Sequence, residues 1–542
     1  MSAVVVLRNG QMLQTYSDQG LTVGDVLDDL RESGFVGHLE DEHGKLLRRY
    51  VLVGGSTYNF VEKQGATWFD VHLRVPSPSA FAADPQAMMR YLGGDDPIYD
   101  LGRTSAAIPL PLTVEAFALY VQGLKFRVLD ALDWSFVSKV MGMSRFFENE
   151  TQRQSAFLEW TQDYLRATCA GVQLRFTESV KGKGMPDIKI EALVLGEWIT
   201  ICMIEVKVEI GGGEPCVELV KYYADYTTQL WQRNDWLYQN SCCPVLLIEV
   251  VGPHVRVGGA VRYVDKPAYQ PFTPLLHVFK FVQDADHLSM LSRALGSIGD
   301  AVKSLVAFYA GVTRSLPPVR AAEVEWPYAI TRLQQQGAVI VQTTLSRSFL
   351  RAMNKQLLFG VELKGNRRIV KFCQRYGTAI HQQWAAEGFA PSFTCHALAG
   401  GWLMIDMELC SQDDGWVSLM ALDPNSWSVG DNAANEYRLQ PEEWEVCKQK
   451  VVEAYRTLWL KFPGVVHGDL RKANIMYNVS SKHVAFLDFD WAGIEGQEKY
   501  PLLINTLMQW PEGVGPCKPM KAEHDRQLLA TELGVKPDDI VA

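Results

Sequence analysis

Short apolar runs separated by turn-forming residues open the chain. Two such runs, at 4–7 and 12–16, flank Asn9-Gly10, and Asn-Gly supplies the positive φ values that a two-residue hairpin turn needs. Thr22 can cap a helix whose apolar residues recur at helical spacing. A further apolar run at 50–54 returns as a strand. The pattern therefore predicts the element order ββαβ for a first module.

This order is similar to that of ubiquitin-like modules, and we expect the module at 1–75. Residues 76–100 are rich in Pro, Ser, Gly and Asp, which is the composition of a linker or a surface loop. Residues 110–143 are apolar, with aromatic, Leu and Val residues at mixed spacing. We expect helices there that dock the first module onto the next, so that 76–143 is a linker and helical connector.

From residue 144 the pattern becomes a long helix followed by alternating strands and helices. Strands are predicted at 172–176, 188–195, 198–208, 245–251 and 255–264, with a second helix at 217–236. The order αβββαββ predicts an α/β domain at 144–265. A helical connector at 266–318 follows, and its end is marked by Ser315-Leu-Pro-Pro.

Composition narrows the class of protein. With 542 residues, of which 47% are hydrophobic and 21% are charged, the chain has the composition of a folded multidomain protein. The formal net charge of −10 excludes a strongly basic surface that binds phosphates by releasing counterions. Any contact with nucleic acid must therefore be local or mediated by a metal ion.

Cysteine usage and hydropathy indicate the working environment. The ten cysteines include no CxxC pair and no Cys/His spacing suited to zinc, which indicates reduced, mostly buried thiols. No apolar stretch reaches the roughly 18 residues of a membrane span, so no membrane contact is expected. The apolar run after Met1 is interrupted by Arg8 and Asn9, so a signal peptide is not expected.

Two carboxylates and a lysine form the first chemical constellation. Asp187 opens one predicted strand, and Glu205 and Lys207 lie on the next in an otherwise apolar run. Side chains alternate along a strand with period two, so Glu205 and Lys207 share a face. Facing carboxylates can hold Mg²⁺ or Mn²⁺, and the ammonium can steady a developing negative charge. We expect metal-dependent phosphodiester hydrolysis, with Asp187 and Glu205 as metal ligands.

The helix before these strands adds one candidate. Glu150 falls on the same helical face as Phe157 and Tyr164 and can complete the metal site, whereas Glu159 is expected to be a solvated charge. The arrangement resembles nuclease families that often carry a glutamine or lysine on the helix after the lysine strand, and that resemblance implies a further site residue here from three unranked candidates: Glu218, Lys221 and Gln229.

The second constellation lies near the C-terminus. The run 467–474, HGDLRKAN, and the run 486–490, FLDFD, are similar to the catalytic loop HxDxxxxN and the DFG strand of protein kinases. This resemblance implies a kinase-like bilobal domain at 319–542 that uses ATP. It makes Asp469 the acceptor of the substrate hydroxyl proton, and Asn474 and Asp488 the ligands of Mg²⁺.

Lys371, in the predicted strand Arg368-Ile-Val-Lys-Phe, is similar to the kinase lysine that binds the α- and β-phosphates of ATP. The chain departs from the kinase pattern at several points. No GxGxxG precedes Lys371, and Thr378, His381 and Gln382 stand where a kinase has its pairing glutamate. Two further departures concern the motifs themselves: Gly468 replaces the catalytic-loop arginine, and Asp490 replaces the glycine of DFG.

Taken together, the two constellations resemble the Crinkler effectors that join a PD-(D/E)xK restriction-endonuclease-like domain to a kinase-like domain. The continuation from Asp490-Trp-Ala-Gly also resembles the Crinkler kinase-like group. The resemblance implies a multidomain α/β and α+β protein with a ubiquitin-like header. It also implies a secreted virulence effector that acts on double-stranded DNA in a host nucleus, with host proteins as kinase substrates.

Two other interpretations remain open. In one, both domains only bind, the middle one as a nucleic-acid or protein module and the last one as a pseudokinase scaffold. In the other, the chain is an atypical kinase whose middle domain is structural. The choice between DNA and RNA, the export route and the oligomeric state are not determined by the sequence.

Overall fold

The computed structural model describes five short strands before residue 101 and most of the chain from Ile108 to Val541. The gaps after Ile108 are at 179–184, 211–213, 234, 263–266, 280–283, 313–327, 331–337, 341–356, 364–365, 426–436 and 506–507. The chain divides into two compact units. Unit 1 consists of Met1–Thr104 and Val128–Glu325, and unit 2 consists of Ser105–Arg127 and Trp326–Ala542.

In the first part of the chain the strands are β1 Val4–Arg8, β2 Gln11–Tyr16, β3 Gly37–Glu40, β4 Thr57–Glu62, β5 Tyr99–Asp100, β6 Leu174–Glu178, β7 Ile188–Val194, β8 Glu197–Lys207, β9 Val245–Val251, β10 His254–Arg262, β11 Pro267–Pro271 and β12 Leu276–His277. The helices are α1 Leu110–Thr113, α2 Glu115–Phe126, α3 Ala131–Val140, α4 Glu150–Thr168, α5 Pro215–Gln232, α6 Trp236–Asn240 and α7 Ala285–Ala310.

In the second part the strands are β13 Ala338–Ile340, β14 Leu358–Leu363, β15 Asn366–Cys373, β16 Phe393–Ala397, β17 Leu403–Glu408, β18 Trp416–Ser418, β19 Val465–Val466, β20 Ile475–Asn478, β21 Val484–Phe486 and β22 Gly493–Ile494. The helices are α8 Thr378–Ala386, α9 Leu419–Leu422, α10 Pro441–Lys461, α11 Ala522–Leu533 and α12 Pro537–Val541. Among the described helices, none combines the length and hydropathy that crossing a membrane requires.

The N-terminal strands form a four-stranded sheet in the order β2-β1-β4-β3. β1 and β2 make the predicted antiparallel hairpin, and β1 pairs with β4 in parallel. The predicted helix from Thr22 and the predicted strand at 50–54 lie outside the described residues. The hairpin is therefore confirmed, while the ubiquitin-like header stays a prediction.

The second sheet of unit 1 has the order β5-β11-β10-β9-β8-β7-β6. β7 and β8 are antiparallel, whereas β8 and β9 are parallel and are joined through α5. β8 and β9 are buried along nearly their whole length, which explains why both are continuous apolar runs. The predicted order αβββαββ is confirmed. Because β8 and β9 are parallel, their carboxyl ends meet at one edge of the sheet.

Helices cover the second sheet. α5 packs on β8, β9, β10 and β11, while α4 and α7 contact β8, and α7 also contacts β7 and β9. The expectation of a helical connector at 266–318 is wrong in two respects. Residues 267–277 form two strands that pair with β10, and α7 is part of the core, with buried residues such as Leu291, Leu295 and Ile298. Pairing to an existing sheet edge outweighed the local apolar pattern.

Unit 2 contains a sheet in the order β13-β14-β15-β17-β16, with α8 between β15 and β16 in the chain. The expectation that residues 110–126 only connect two modules is wrong, because these residues belong to unit 2. Leu112 packs into the same core as Phe359 and Phe372, and the amide of Gly400 donates to Gln122 Oε1 at 3.3 Å. The apolar residues of α1 therefore complete the core of this sheet.

The remainder of unit 2 consists of the small sheets β18-β20-β21 and β19-β22 and the helices α9 to α12. Helix α10 buries a stripe that includes Cys447, Val451 and Leu458 in a second core cluster, which also contains Leu470 and Phe486. The turns that carry the HGDLRKAN and FLDFD motifs lie between these short strands. A helical layer thus supports the motif-bearing turns, as enzymes commonly require of catalytic loops.

Candidate functional sites

The first constellation converges at the edge where β8 and β9 end. Lys207 is buried, and its Nζ lies 2.7 Å from Glu205 Oε1 and 2.9 Å from Glu218 Oε2. Glu205 and Lys207 share a face because they are two residues apart on a strand. Glu218 reaches the same face from the first turn of α5. Of the three unranked candidates on that helix, Glu218 contacts the site, whereas Lys221 pairs with Asp225 on the helix itself.

Asp187 is tied to the same point by its position just before β7. Its backbone amide donates to Glu205 Oε2 at 3.2 Å, and its Oδ2 accepts from the amide of Val206 at 2.9 Å. The neighbouring pair Ile188 and Ile204 is in register across β7 and β8. The two predicted carboxylates are therefore adjacent across the sheet, at the distance that strand pairing imposes.

Negative charge outweighs positive charge at this edge. Burial, Glu218 and Asp187 raise the pKa of Glu205 to about 9. Burial also raises the pKa of Asp187, with Glu150 and Glu218 adding to the rise. Burial opposes the charged form of Lys207, but Glu205 and Glu218 outweigh it and raise its pKa. Crowded carboxylates that disfavour their own ionisation are a donor set that a hard divalent cation would stabilise.

Glu150 begins α4, and Asn149 caps that helix by accepting from the amide of Gln152. Glu150 lies close enough to Asp187 to raise its pKa, and its role in completing a metal site stays a prediction. One turn further, Gln154 Nε2 donates to the carbonyl of Asp187 at 2.9 Å. Gln154 was not anticipated, although its helical spacing of four from Glu150 was visible in the sequence. Glu159 is exposed, as expected.

Tyr222, one turn after Glu218 on α5, was also not anticipated. Burial is the largest cause of its raised pKa, and the charges of Glu205 and Glu218 add to it. The ring is half-buried, so Tyr222 forms a wall beside the carboxylates. Only the packing of α5 on the sheet brings it there.

The second constellation centres on Lys371 of β15. Its Nζ lies 2.6 Å from Asp488 Oδ1 and 2.7 Å from Asp490 Oδ1. Lys371 holds the pKa of Asp488 below its usual range despite burial, whereas burial, with Asp488 adding to it, raises the pKa of Asp490 to about 6. Asp488 has a positive φ of 66°, a backbone conformation that persists only where the surroundings hold it. The predicted lysine and the predicted metal ligand are therefore in direct contact.

In the catalytic loop, both carboxylate oxygens of Asp469 accept hydrogen bonds. Arg471 Nε donates to Oδ1 at 2.5 Å, and Arg471 Nη2 donates to Oδ2 at 2.6 Å. Asn474 Nδ2 donates to the Asp469 carbonyl and to Oδ2, both at 2.9 Å. The Asn474 carbonyl accepts from the amide of Leu487 at 2.8 Å, which places Asn474 beside the segment that carries Asp488. Arg471 was not anticipated as a site residue.

A buried aspartate of α11 fixes the start of this loop. Asp525 accepts from the amides of His467 at 2.5 Å and Gly468 at 2.8 Å. Gly468 has a φ of +86°, and a Cβ there would overlap the side chain of Met520. The replacement of the kinase arginine by Gly468 is therefore a requirement of the backbone here, because L-residues disfavour this conformation.

The position of the missing pairing glutamate is filled by an aromatic stack. His381 of α8 lies parallel to Phe393 and Phe489, with ring centroids 3.9 Å and 4.3 Å away. Tyr376 Oη donates to His381 Nδ1, and His381 Nε2 donates to the carbonyl of Pro391. The two carboxylates that contact Lys371 belong to Asp488 and Asp490, and neither of them comes from α8. The lysine is thus held by the FLDFD segment and not by the helix.

The donor set of this site fits Mg²⁺ and a nucleoside triphosphate. Asp488 and Asp490 supply carboxylate oxygens and Asn474 supplies an amide oxygen, which are the ligands that Mg²⁺ prefers. The two carboxylates exceed the one ammonium of Lys371 by one negative charge, so a cation is electrostatically acceptable. Lys371 lies on strand β15, from which its Nζ can reach the phosphate oxygens of a nucleotide.

Comparisons with known proteins agree with this geometry. Residues 422–495 match the phosphotransferase enzyme family. A solved structure of the Cydia pomonella granulovirus kinase PK-1 matches at 15% identity over 39% of this chain and 81% of that chain, with a TM-score of 0.29. A TM-score this low does not by itself establish a shared fold. No curated protein matches significantly. The C-terminal part of the chain contains a kinase-like phosphotransferase domain.

Proposed function

We propose that unit 2 transfers the γ-phosphoryl group of ATP to an acceptor hydroxyl, with Mg²⁺ as cofactor. The contact of Lys371 with Asp488 carries this proposal, because it joins the strand that would bind the ATP phosphates to the segment that would bind the metal. The match of 422–495 to the phosphotransferase enzyme family supports it. The acceptor is not defined by the geometry, and host proteins are one class that the Crinkler resemblance suggests.

Each residue has a separate task in this proposal. Lys371 binds phosphate oxygens, while Asp488 and Asn474 hold the metal, which neutralises phosphate charge when bound. Asp469 accepts the proton of the attacking hydroxyl. Arg471, which now pairs with Asp469, can turn its guanidinium toward a phosphate because Arg binds both carboxylates and phosphates through paired N–H groups.

ATP binding by the full chain tests the proposal. Lys371→Ala and Asp488→Ala should each weaken Mg·ATP binding by about tenfold or more, since one charge-assisted hydrogen bond is worth about 1.5–3 kcal/mol. Asp469→Ala should abolish phosphate transfer and leave ATP binding near that of the unaltered protein. Lys450→Ala, on the exposed side of α10, is the matched control. ATP binding that is indifferent to both Lys371→Ala and Asp488→Ala would favour the scaffold interpretation.

We further propose that the second sheet of unit 1 carries a metal-dependent phosphodiesterase of the PD-(D/E)xK type. The specific observation in its favour is a set of carboxylates at one point: Glu205 and Glu218 contact Lys207, and Asp187 is hydrogen-bonded to Glu205 and to the Val206 amide, with Glu150 nearby. Asp187, Glu205 and Glu150 would hold Mg²⁺ or Mn²⁺, which polarises the phosphate and lowers the pKa of water when bound. Lys207 steadies the charge that develops on the attacked phosphate.

Cleavage assays separate this activity from that of unit 2. The full chain with Mg²⁺ or Mn²⁺ should degrade double-stranded DNA, and Asp187→Ala or Lys207→Ala should abolish the cleavage. Asp469→Ala should leave cleavage intact, and Glu159→Ala should do the same as a matched glutamate on the exposed face of α4. Cleavage that survives both Asp187→Ala and Lys207→Ala would exclude this site. RNA offered in parallel distinguishes the two nucleic acids.

The resemblance to Crinkler effectors supports a biological setting for both activities. We propose a secreted effector that acts on DNA in a host nucleus, with the kinase-like domain as a second activity or as a regulator. Delivery of a tagged full chain into host cells, followed by imaging and an assay for DNA breaks, tests this setting. Exclusion from the nucleus, or breaks that persist with Lys207→Ala, would contradict it.

A further inference from the structure

A cluster of histidines lies in unit 1, outside both sites described above. It is formed where β10 begins, where β12 pairs with it, and where α7 starts. His277, Asp284 and His287 each offer one ligand atom, and these atoms all lie within 4.8 Å of one another. The rings of His277 and His287 stack with centroids 3.5 Å apart and planes 9° apart, and because imidazole lone pairs lie in the ring plane, one ring must rotate before both lone pairs point at a common ion.

A third imidazole borders this group. His254 is directly opposite His277 in the antiparallel pairing of β10 with β12, and directly opposite residues have Cβ atoms about 5 Å apart. Phe279 closes one side, with its ring 5.7 Å from that of His277 and 6.2 Å from that of His254. The three imidazoles therefore lie beside one another and beside the ring of Phe279, and each is half-buried.

Hydrogen bonds to carbonyl groups define the tautomers of two of these histidines. His287 Nε2 lies 2.7 Å from the carbonyl oxygen of His277, and His254 Nδ1 lies 3.3 Å from that of Val251. A carbonyl oxygen only accepts, so each of these ring nitrogens must carry the proton. In the neutral imidazole the other nitrogen, Nδ1 of His287 and Nε2 of His254, has the lone pair that a metal ion binds. Metal-binding histidines are held in this same way.

The carboxylate of the cluster is positioned by the helix. Asp284 caps α7, and its Oδ1 accepts from the amide of His287 at 2.9 Å. A carboxylate has two oxygens, so this bond does not prevent Asp284 from binding a cation. Two imidazoles beside one carboxylate are a donor set that divalent transition metals bind.

We propose that His277, Asp284 and His287 form a binding site for a divalent transition metal, with Zn²⁺ as its natural occupant. Imidazole nitrogens together with one carboxylate oxygen suit Zn²⁺ and bind Mg²⁺ poorly. The site is separate from the hard, all-oxygen donor set around Lys207. It does not depend on the phosphodiesterase or phosphotransferase activity of the chain. A bound ion joins the start of α7 to the β10–β12 pair and stabilises unit 1.

The sequence did not reveal this site because its ligands come from separate elements. His277, Asp284 and His287 are 7 and 3 residues apart along the chain, which matches none of the short spacings that mark zinc motifs, and the bordering His254 lies 23 residues before His277. Strand pairing and the start of α7 bring them together. Only the tertiary structure could therefore place them side by side.

Zn²⁺ titration of the metal-stripped full chain tests the proposal. The titration is done in a large excess of Mg²⁺, which occupies oxygen-donor sites and competes weakly for imidazole. Binding of one equivalent of Zn²⁺ is expected, with a rise in the melting temperature of unit 1. Co²⁺ in place of Zn²⁺ should give visible absorption bands without the thiolate-to-metal band that cysteine ligands would add.

Three substitutions decide the outcome. His277→Ala and His287→Ala should each weaken Zn²⁺ binding by about tenfold or more, since one lost ligand is worth at least one charge-assisted hydrogen bond. His483→Ala, an exposed histidine of unit 2, should bind Zn²⁺ as the unaltered protein does. Circular dichroism of each stripped variant checks that it is folded. Zn²⁺ affinity retained in both His277→Ala and His287→Ala would overturn the proposal, as would a thiolate band with Co²⁺.

Discussion

His381 links the packing of unit 2 to the pH of the solution. Burial between Phe393 and Phe489 lowers the pKa of His381 from 6.5 to about 4, and it outweighs the hydrogen bond to the Pro391 carbonyl, which raises the pKa, while His467 adds to the lowering. A base whose pKa is lowered by folding makes its full contribution to the free energy of unfolding at pH values above its unfolded-state pKa. This stability is lost as the pH falls through the window from about 6.5 to about 4.

The structure sets the size of the effect. At about 1.4 kcal/mol per pH unit, the whole window is worth about 3 kcal/mol, of which about 2 kcal/mol is lost between pH of about 7.5 and about 5. His381→Gln removes the titrating group. The advantage of the unaltered protein over this variant should therefore shrink by about 2 kcal/mol across the same interval.

Urea unfolding of the full chain measures this difference. Pulse labelling read by mass spectrometry on peptides of α8 and β16 follows unit 2 alone. Other groups that titrate are common to both proteins and cancel in the comparison. His483→Gln, an exposed histidine, controls for loss of an imidazole and should show no such interval dependence. A difference between the unaltered protein and His381→Gln that stays constant with pH would refute the assignment of a buried neutral imidazole.

Three other substitutions test the packing around the sites. Gly468→Ala should destabilise unit 2 by about 1–2 kcal/mol from its left-handed backbone alone, as measured by urea unfolding. Gly464 has a similar φ but open space around it, so the difference between Gly468→Ala and Gly464→Ala gives the cost of the overlap with Met520. Arg153→Met should destabilise unit 1 by about 2–4 kcal/mol, because the buried guanidinium donates to the carbonyl groups of Met143 and Gly252; an unchanged melting temperature would contradict this. Glu249→Gln should destabilise unit 1 by about 3–5 kcal/mol, because Arg256, which donates two hydrogen bonds to the Glu249 carboxylate, would lose its negatively charged partner. A loss of unfolding free energy below about 1 kcal/mol, measured by calorimetry, would argue against a buried ion pair.

Much of the candidate site chemistry was visible in local sequence. Alternation along β8 put Glu205 and Lys207 on one face, and the spacing within HGDLRKAN placed Asp469 and Asn474 in one loop. These inferences hold because strand and turn geometry depend on a few neighbouring residues. The contacts of Lys207 with Glu218 and of Lys371 with Asp490 were not predictable in the same way. They depend on how α5 and the FLDFD segment pack, which no local pattern specifies.

The sequence by itself determined the element order αβββαββ of residues 144–265, the hairpin at the N-terminus and the residue types of both constellations, because each depends on periodicity or turn chemistry over a few residues. Only the tertiary structure decided that 110–126 completes the core of unit 2, that 267–277 extends a sheet, and that three histidines meet at the start of α7. These outcomes depend on pairing and burial between distant segments. Contacts of that kind gain their free energy from removing surface from water, and local propensity does not encode which partner supplies that surface.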